Sequence, residues 1–254
     1  MDKHAWDKHA QNTQERDRQA RIANNLSCVM RQIQVAAQAY QTKTGIAEHR
    51  VKLIAVSKYQ DVDSMRALHL AGQCAFGENK VQDLRQKVGE FAVIAPAKPI
   101  EWHFIGTLQR NKINALLALS PTLIHSIDSL ELALALDERC GKLGRIQRVL
   151  LQVNSANEPS KHGFSPESTL EAFARISSQA RNLQICGLMT IGAHTQDIAR
   201  IQESFQKTKE LYDCMKAQSS HINTLSMGMS GDFAYAISQG ATMVRIGSAL
   251  FTTH

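Results

Sequence analysis

The residue whose type and position first point to chemistry is Lys58. It follows the apolar run at residues 51–56 (VKLIAV) and Ser57. At the mouth of an apolar fold, desolvation disfavours the ammonium form, and the neutral amine that results attacks carbonyls. The plainer reading is a solvated lysine at a strand end, or one paired with Glu78. A second signal lies near the end of the chain. Gly228-Met229-Ser230-Gly231-Asp232 and Arg245-Ile246-Gly247-Ser248 each lead from an apolar run toward a helix. Glycine lets backbone N–H groups approach an anion closely, and a helix start offers unpaired donors at the positive end of its dipole. Either turn alone could be an ordinary N-cap, but the pair reads as a phosphate cradle.

Other polar residues carry weaker signals. His103 lies inside the run 100–105 (IEWHFI) and reads as a packed, hydrogen-bonded histidine. Asn111 and Lys112 read as a polar helix start. Lys161, His162 and Gly163 form either an anion-facing lid or a solvated loop. No HExxH, paired-carboxylate or Ser/His/Asp pattern occurs, and the 10 histidines are dispersed. The 5 cysteines (28, 74, 140, 186 and 214) form no CxxC pair, so they read as separate apolar residues rather than a zinc site or a disulfide framework. No metal is expected.

These residues need elements to position them. Residues 21–43 repeat apolar side chains at helical spacing (Ile22, Leu26, Val29, Met30, Ile33, Val35, Ala36, Tyr40) without Gly or Pro, which predicts a long amphipathic helix. Beyond it, apolar runs at 51–56, 74–76, 100–105, 122–125, 149–153, 185–189, 224–227 and 243–246 alternate with helical stretches at 61–71, 79–91, 111–119, 129–139, 166–181, 196–218 and 233–239. Eight such runs predict a parallel (β/α)8 barrel of the TIM type, with an open doubly wound sheet as the other topology. In a barrel, the segments that follow the strands meet at the C-terminal face, where active sites sit. Lys58, Asn79, His103 or its neighbours, Lys161, Thr190, Ser230 and Arg245 would then share one cavity. Residues 1–20 are polar and mixed in charge and read as an extension or frayed helix start, with residues 21–254 forming a single barrel domain.

Composition excludes several classes. A chain of 254 residues with 43% hydrophobic and 20% charged residues is globular rather than disordered or fibrous. The net charge of +6 favours anionic ligands but is too scattered to argue for nucleic acid. No apolar run approaches a membrane span, and the first 20 residues lack the apolar core of a signal peptide. The expected location is the cytoplasm.

Taken in order, AVSK at the first run, FGEN at the second, WHFIG with LQ and NK at the third, SKHG after the fifth, GLM at the sixth, GMS-x-D at the seventh and MVRIG at the eighth resemble one family. That family is the pyridoxal phosphate homeostasis proteins, which share the barrel of the alanine racemase N-terminal domain. The resemblance covers residues 20–254. It implies pyridoxal 5′-phosphate (PLP) held as an imine on Lys58, with the phosphate on Ser230 and the backbone at Gly247 and Ser248. Arg245 would face the pyridine nitrogen and Asn79 would lie near the cofactor. The chain departs from the family's pattern at Tyr59-Gln60-Asp61, where a Pro and a basic or Thr residue are usual, and at Lys80, where Tyr is frequent.

The expectation is a PLP carrier without robust catalysis. A racemase needs acid/base groups on both faces of the substrate carbon, and the chain ends soon after the eighth run with no second domain to supply one. An Arg at the pyridine nitrogen also weakens the ring as an electron sink. The expected partners are PLP and PLP-dependent apo-enzymes, with no nucleic acid or membrane, and the chain is expected to be a monomer. The alternatives are a low-activity PLP-dependent amino-acid racemase or lyase using the same Lys58 imine, and a Schiff-base aldolase with no bound cofactor.

Overall fold

A computed structural model describes residues 3–252 apart from 95–97, 157, 159–160 and 194, with side chains described from residue 14 onward. The chain opens with helix α1 (Lys3–Thr44). Residues 3–20 are therefore helical and continuous with the predicted amphipathic segment, because they contain no Gly or Pro to interrupt it. Ile22, Leu26, Val29, Ile33 and Ala37 form the buried stripe of α1. Met30 and Val35, although apolar, fall on its outer face at 43% and 65% exposure.

Eight strands follow: β1 (Lys52–Val56), β2 (Ala75–Glu78), β3 (Glu101–Phe104), β4 (Leu123–Ile127), β5 (Gln147–Val153), β6 (Leu183–Thr190), β7 (Thr224–Ser226) and β8 (Met243–Ile246). Each pairs in parallel with its neighbour, and β8 returns to β1 with Lys52 opposite Met243 and Ala55 opposite Ile246, which closes the barrel. The open doubly wound alternative is thereby ruled out. The intervening helices are α2 (Val62–Leu70), α3 (Val81–Ile94), α4 (Ile113–Leu117), α5 (Leu130–Lys142), α6 (Pro166–Gln179), α7 (Ile198–Gln218) and α8 (Phe233–Ser238), and β8 leads into the short α9 (Ser248–Phe251). Asn111 and Lys112 fall in a 3-10 turn, Arg110–Lys112, before α4.

The polar residues that precede helices act as caps. Asp61, Ser129, Ser165 and Asp197 each accept a backbone N–H from the first turn of α2, α5, α6 and α7. Inside the barrel, Ile54, Ala75, Leu123, Leu150, Cys186, Met189 and Met243 pack as a small cluster. A larger apolar layer fills the space between strands and helices. α1 packs its buried stripe into this layer, against α2, α8 and α9, across the seam between the first and last strands. Among the described residues no helix is long and apolar enough to cross a membrane.

Candidate functional site

The C-terminal ends of the strands open into a cavity of about 800 Å³. Lys58, Asn79, Ser230, Arg245, Gly247 and Ser248 all line it. The structure thus brings together the six residues singled out for the cofactor. Lys58 is exposed, and among the described residues no hydrogen bond or ion pair engages its amine; the Tyr59 ring centroid lies 5.9 Å away. Tyr59 adopts φ +66°, a left-handed conformation that is costly for a bulky side chain. That turn sets Lys58 at the cavity edge. Lys80, also on the lining, lies 5.9 Å from the same ring.

Glu78 does not pair with Lys58. It is fully buried, accepts from Ser57 Oγ at 2.6 Å and from Lys87 Nζ at 2.5 Å, and Lys87 also donates to the Ser57 carbonyl at 2.7 Å. This buried knot fixes the backbone immediately before Lys58. Sequence reasoning missed Lys87, because it lies on α3 and meets Glu78 only through tertiary packing. Next to it, Asn79 places its Oδ1 in a buried position with no hydrogen-bond partner among the described residues. Gly106 is required there, since a Cβ at that position would stand 2.0 Å from the Asn79 carbonyl oxygen.

Arg245 forms a charged floor. It is 4% exposed. Nη1 donates to the Ser226 carbonyl and hydroxyl at 2.9 and 2.8 Å, and Nη2 donates to the Thr190 carbonyl at 2.8 Å. Burial pushes its pKa down to about 10, partly offset by Asp232, so the guanidinium remains a cation at neutral pH. Among the described residues no carboxylate forms an ion pair with it. Thr190 therefore contributes a backbone oxygen behind Arg245 rather than a side chain to the cavity.

The turn from β7 to α8 and the start of α9 face one another. Ser230 Oγ lies 3.4 Å from the backbone nitrogens of both Gly247 and Ala249, so it stands in front of the N-terminal donors of α9. Such long contacts leave those N–H groups available to a better acceptor. Asp232 accepts from the Met229 N–H at 2.5 Å and shapes the turn, while burial raises its own pKa. Ala249 is a donor the sequence reading did not name.

Besides Thr190, Lys161 and His103 also lie off this cavity, while the neighbours of His103, Ile105, Gly106 and Thr107, line it. Lys161 bonds to Glu158 at 2.9 Å and to the Gly192 carbonyl at 2.8 Å, beside a neighbouring cavity of about 630 Å³. His103 is buried and lines the opposite, N-terminal mouth of the barrel. Its position on β3, before the strand's last residue, sets it too low to reach the Lys58 cavity.

The arrangement fits PLP. A nucleophilic amine, an unsatisfied amide oxygen, a buried cation and a helix-start cradle surround one space of sufficient size.

Comparison with known proteins agrees with the architecture. A family model for the alanine racemase N-terminal domain matches residues 18–254. A pyridoxal phosphate homeostasis protein of Helicobacter pylori strain J99 is 50% identical over 203 residues, covering 80% of this chain and 88% of its own. The human protein of that name is 36% identical over 79% of this chain and 75% of its own length. PipY of Synechococcus elongatus, solved with PLP bound, superposes with a TM-score of 0.72 at 34% identity, covering 85% of this chain and 100% of PipY. Alanine racemase of Corynebacterium glutamicum, at 15% identity and a TM-score of 0.68, shares the fold over 93% of this chain and 62% of the racemase. The chain belongs to the family of the pyridoxal phosphate homeostasis proteins, built on the alanine racemase N-terminal domain.

Proposed function

We propose that this protein binds PLP at the C-terminal mouth of its barrel and serves PLP storage and delivery. When bound, the cofactor supplies an aldehyde that a lysine can hold as an imine and a phosphate that anchors it. Lys58 provides the amine. Ser230 and the N–H groups at Gly247, Ser248 and Ala249 hold the phosphate at the positive end of α9. Asn79 lines the wall between them.

The observation that carries the reading is Arg245. A buried guanidinium with no ion pair among the described residues needs an electron-rich partner on its open side, and a pyridine nitrogen is one. Guanidinium cannot take up a proton and so gives none of the ring protonation that strengthens carbanion chemistry. The titratable side chains on the described lining are Lys58, Lys80 and Arg245, no histidine or carboxylate joins them as a second acid/base group, and Tyr59 stands beside Lys58 in the adjoining cavity. This favours holding over turnover.

The test is direct. The purified protein should be yellow and show a visible imine band. Mixed with an apo-aminotransferase, the loaded protein should restore aminotransferase activity faster than spontaneous release of PLP allows. Transfer that merely tracks the off-rate would leave storage and remove delivery. Robust racemisation of any amino acid by the isolated chain would favour the racemase reading instead.

A further inference from the structure

The barrel has a second polar mouth. At the N-terminal ends of the strands, opposite Lys58, a cavity of about 310 Å³ is lined by Lys52, Glu101, His103 and Arg148 together with other side chains. From this mouth a buried polar chain crosses the barrel interior. His103 Nδ1 is 3.0 Å from His125 Nε2, and His125 Nδ1 is 3.2 Å from Ser226 Oγ. Ser226 Oγ in turn accepts from Arg245 Nη1 at 2.8 Å.

Chemistry fixes the direction of this chain. A guanidinium can only donate. Ser226 Oγ therefore accepts from Arg245, and its own proton goes to His125 Nδ1, its other side-chain partner. Burial lowers the pKa of His103 and pushes that of His125 well below the usual imidazole range, so each ring is neutral and carries one N–H. The His125 proton then sits on Nε2 and is donated to His103 Nδ1. The His103 proton is left on Nε2.

That atom is buried and, among the described residues, has no hydrogen-bond partner. Glu101 Oε2 is 3.9 Å away, a long electrostatic contact rather than a hydrogen bond, and is held by Lys52 Nζ at 2.5 Å. A buried donor without a partner is costly, which is a reason to expect an acceptor there. The surroundings are electropositive. Lys52 cancels the charge of Glu101, while the exposed Arg148 touches Cys186 Sγ through Nε at 3.4 Å and has no ion pair among the described residues.

We propose that the N-terminal mouth is a second ligand site, which takes a small oxyanion between Arg148 and Lys52 with the His103 Nε2–H as its buried donor. The ligand class is a phosphoryl group or a carboxylate, since both present the acceptor oxygens that guanidinium and ammonium groups recognise. Through His103, His125 and Ser226 the bound anion is joined by hydrogen bonds to Arg245, so the two mouths share one polar chain. The site itself stands independently of the PLP reading.

The experiment uses the full cofactor-free chain, labelled with 15N, at low ionic strength. Inorganic phosphate is titrated first and acetate second, while the Arg148 Nε–H, the His103 ring nitrogens and the Gly247 and Ala249 amides are followed by NMR. Phosphate should produce two independent saturation curves, one for Arg148 with His103 and one for the α9 amides. Arg148→Glu should raise the midpoint of the first curve about tenfold or more and leave the second unchanged. Arg148→Lys, which keeps the charge, should recover part of the loss. A response to acetate would assign a general oxyanion site, and a response to phosphate alone a phosphoryl site. If both anions leave Arg148 and His103 unmoved, or move them with the same midpoint in Arg148→Glu, the proposal is overturned. Loss of the α9 curve alone would count against the phosphate cradle and not against this site.

Discussion

The two sides of the Lys58 cavity are built on opposite plans. On the β7–β8 side every recognised group is fixed: Arg245 by three hydrogen bonds to Ser226 and Thr190, and the cradle by backbone N–H groups at the start of α9. On the β1–β2 side the Lys58 amine is exposed and unpaired among the described residues, and the rigid part lies beneath it in Ser57, Glu78 and Lys87. Anchoring benefits from donors that are already in place, because no entropy is lost in arranging them when the ligand arrives. In the proposed function, a lysine that meets an aldehyde and later lets it go would benefit from a mobile side chain on a fixed backbone. Each side can be broken separately.

The largest effect is expected on the reactive side. Lys58→Ala should abolish the imine band and the pyridoxyl label left after borohydride reduction, while phosphate-anchored binding survives on the other wall. Mass spectrometry placing the label on Lys80 or another lysine in the unaltered protein would reject the assignment. Next comes the foundation. Lys87→Met leaves the fully buried Glu78 carboxylate without its cation and should cost about 3–5 kcal/mol of stability, read from denaturant unfolding. An unchanged unfolding midpoint would show that the knot is not what holds the β1–β2 side.

On the anchoring side the effects are smaller. Gly247→Val brings a side chain toward the Val56 carbonyl oxygen, which would lie only 3.2 Å from a Cβ at that position, and it also blocks close approach of an anion. It should weaken PLP affinity more than Ser230→Ala does. Ser230→Ala removes one donor to a charged group and should weaken affinity by about 1.5–3 kcal/mol in equilibrium titration. Wild-type affinity in both would move the phosphate elsewhere. The smallest change is expected at Asp61→Ala, which loses the N-cap of α2 and an exposed bridge to Arg18 and should cost about 1 kcal/mol of stability.

How much of this was legible in the sequence differs between the two kinds of feature. The barrel was legible because each strand is a short apolar run ended by glycine or polar residues, and β8 (243–246) matches its run end to end. β5 and β6 begin two residues earlier than their runs, since Gln147 and Gln184 are polar yet still pair in the ladder. Most of the cavity residues were legible because Lys58, Asn79, Ser230, Gly247 and Ser248 follow strands, and the topology of a barrel carries such positions to one face, whereas Arg245 lies within β8 itself. Of His103 and its neighbours, it is Ile105, Gly106 and Thr107 that reach the cavity, because a residue inside a strand can face the upper cavity, the interior or the lower mouth, and only register decides. The roles of Lys87, Thr190 and Ala249 depend on contacts between distant segments or on backbone atoms, neither of which leaves a mark on residue type.

The position of α1 has a consequence for the order in which the molecule can be assembled. Arg18 reaches Asp61 at the start of α2, just after the Lys58 turn, while Asn25 donates to the carbonyls of Leu250 and Thr252 at the end of α9, both at 3.2 Å. The first of these contacts spans 43 residues and the second 225. A helix made early during synthesis must therefore wait for nearly the whole chain before its second contact can form. Long-range contacts of this kind close slowly, so the tie from α1 to the start of α2 can form early, and the tie to the end of α9 comes last.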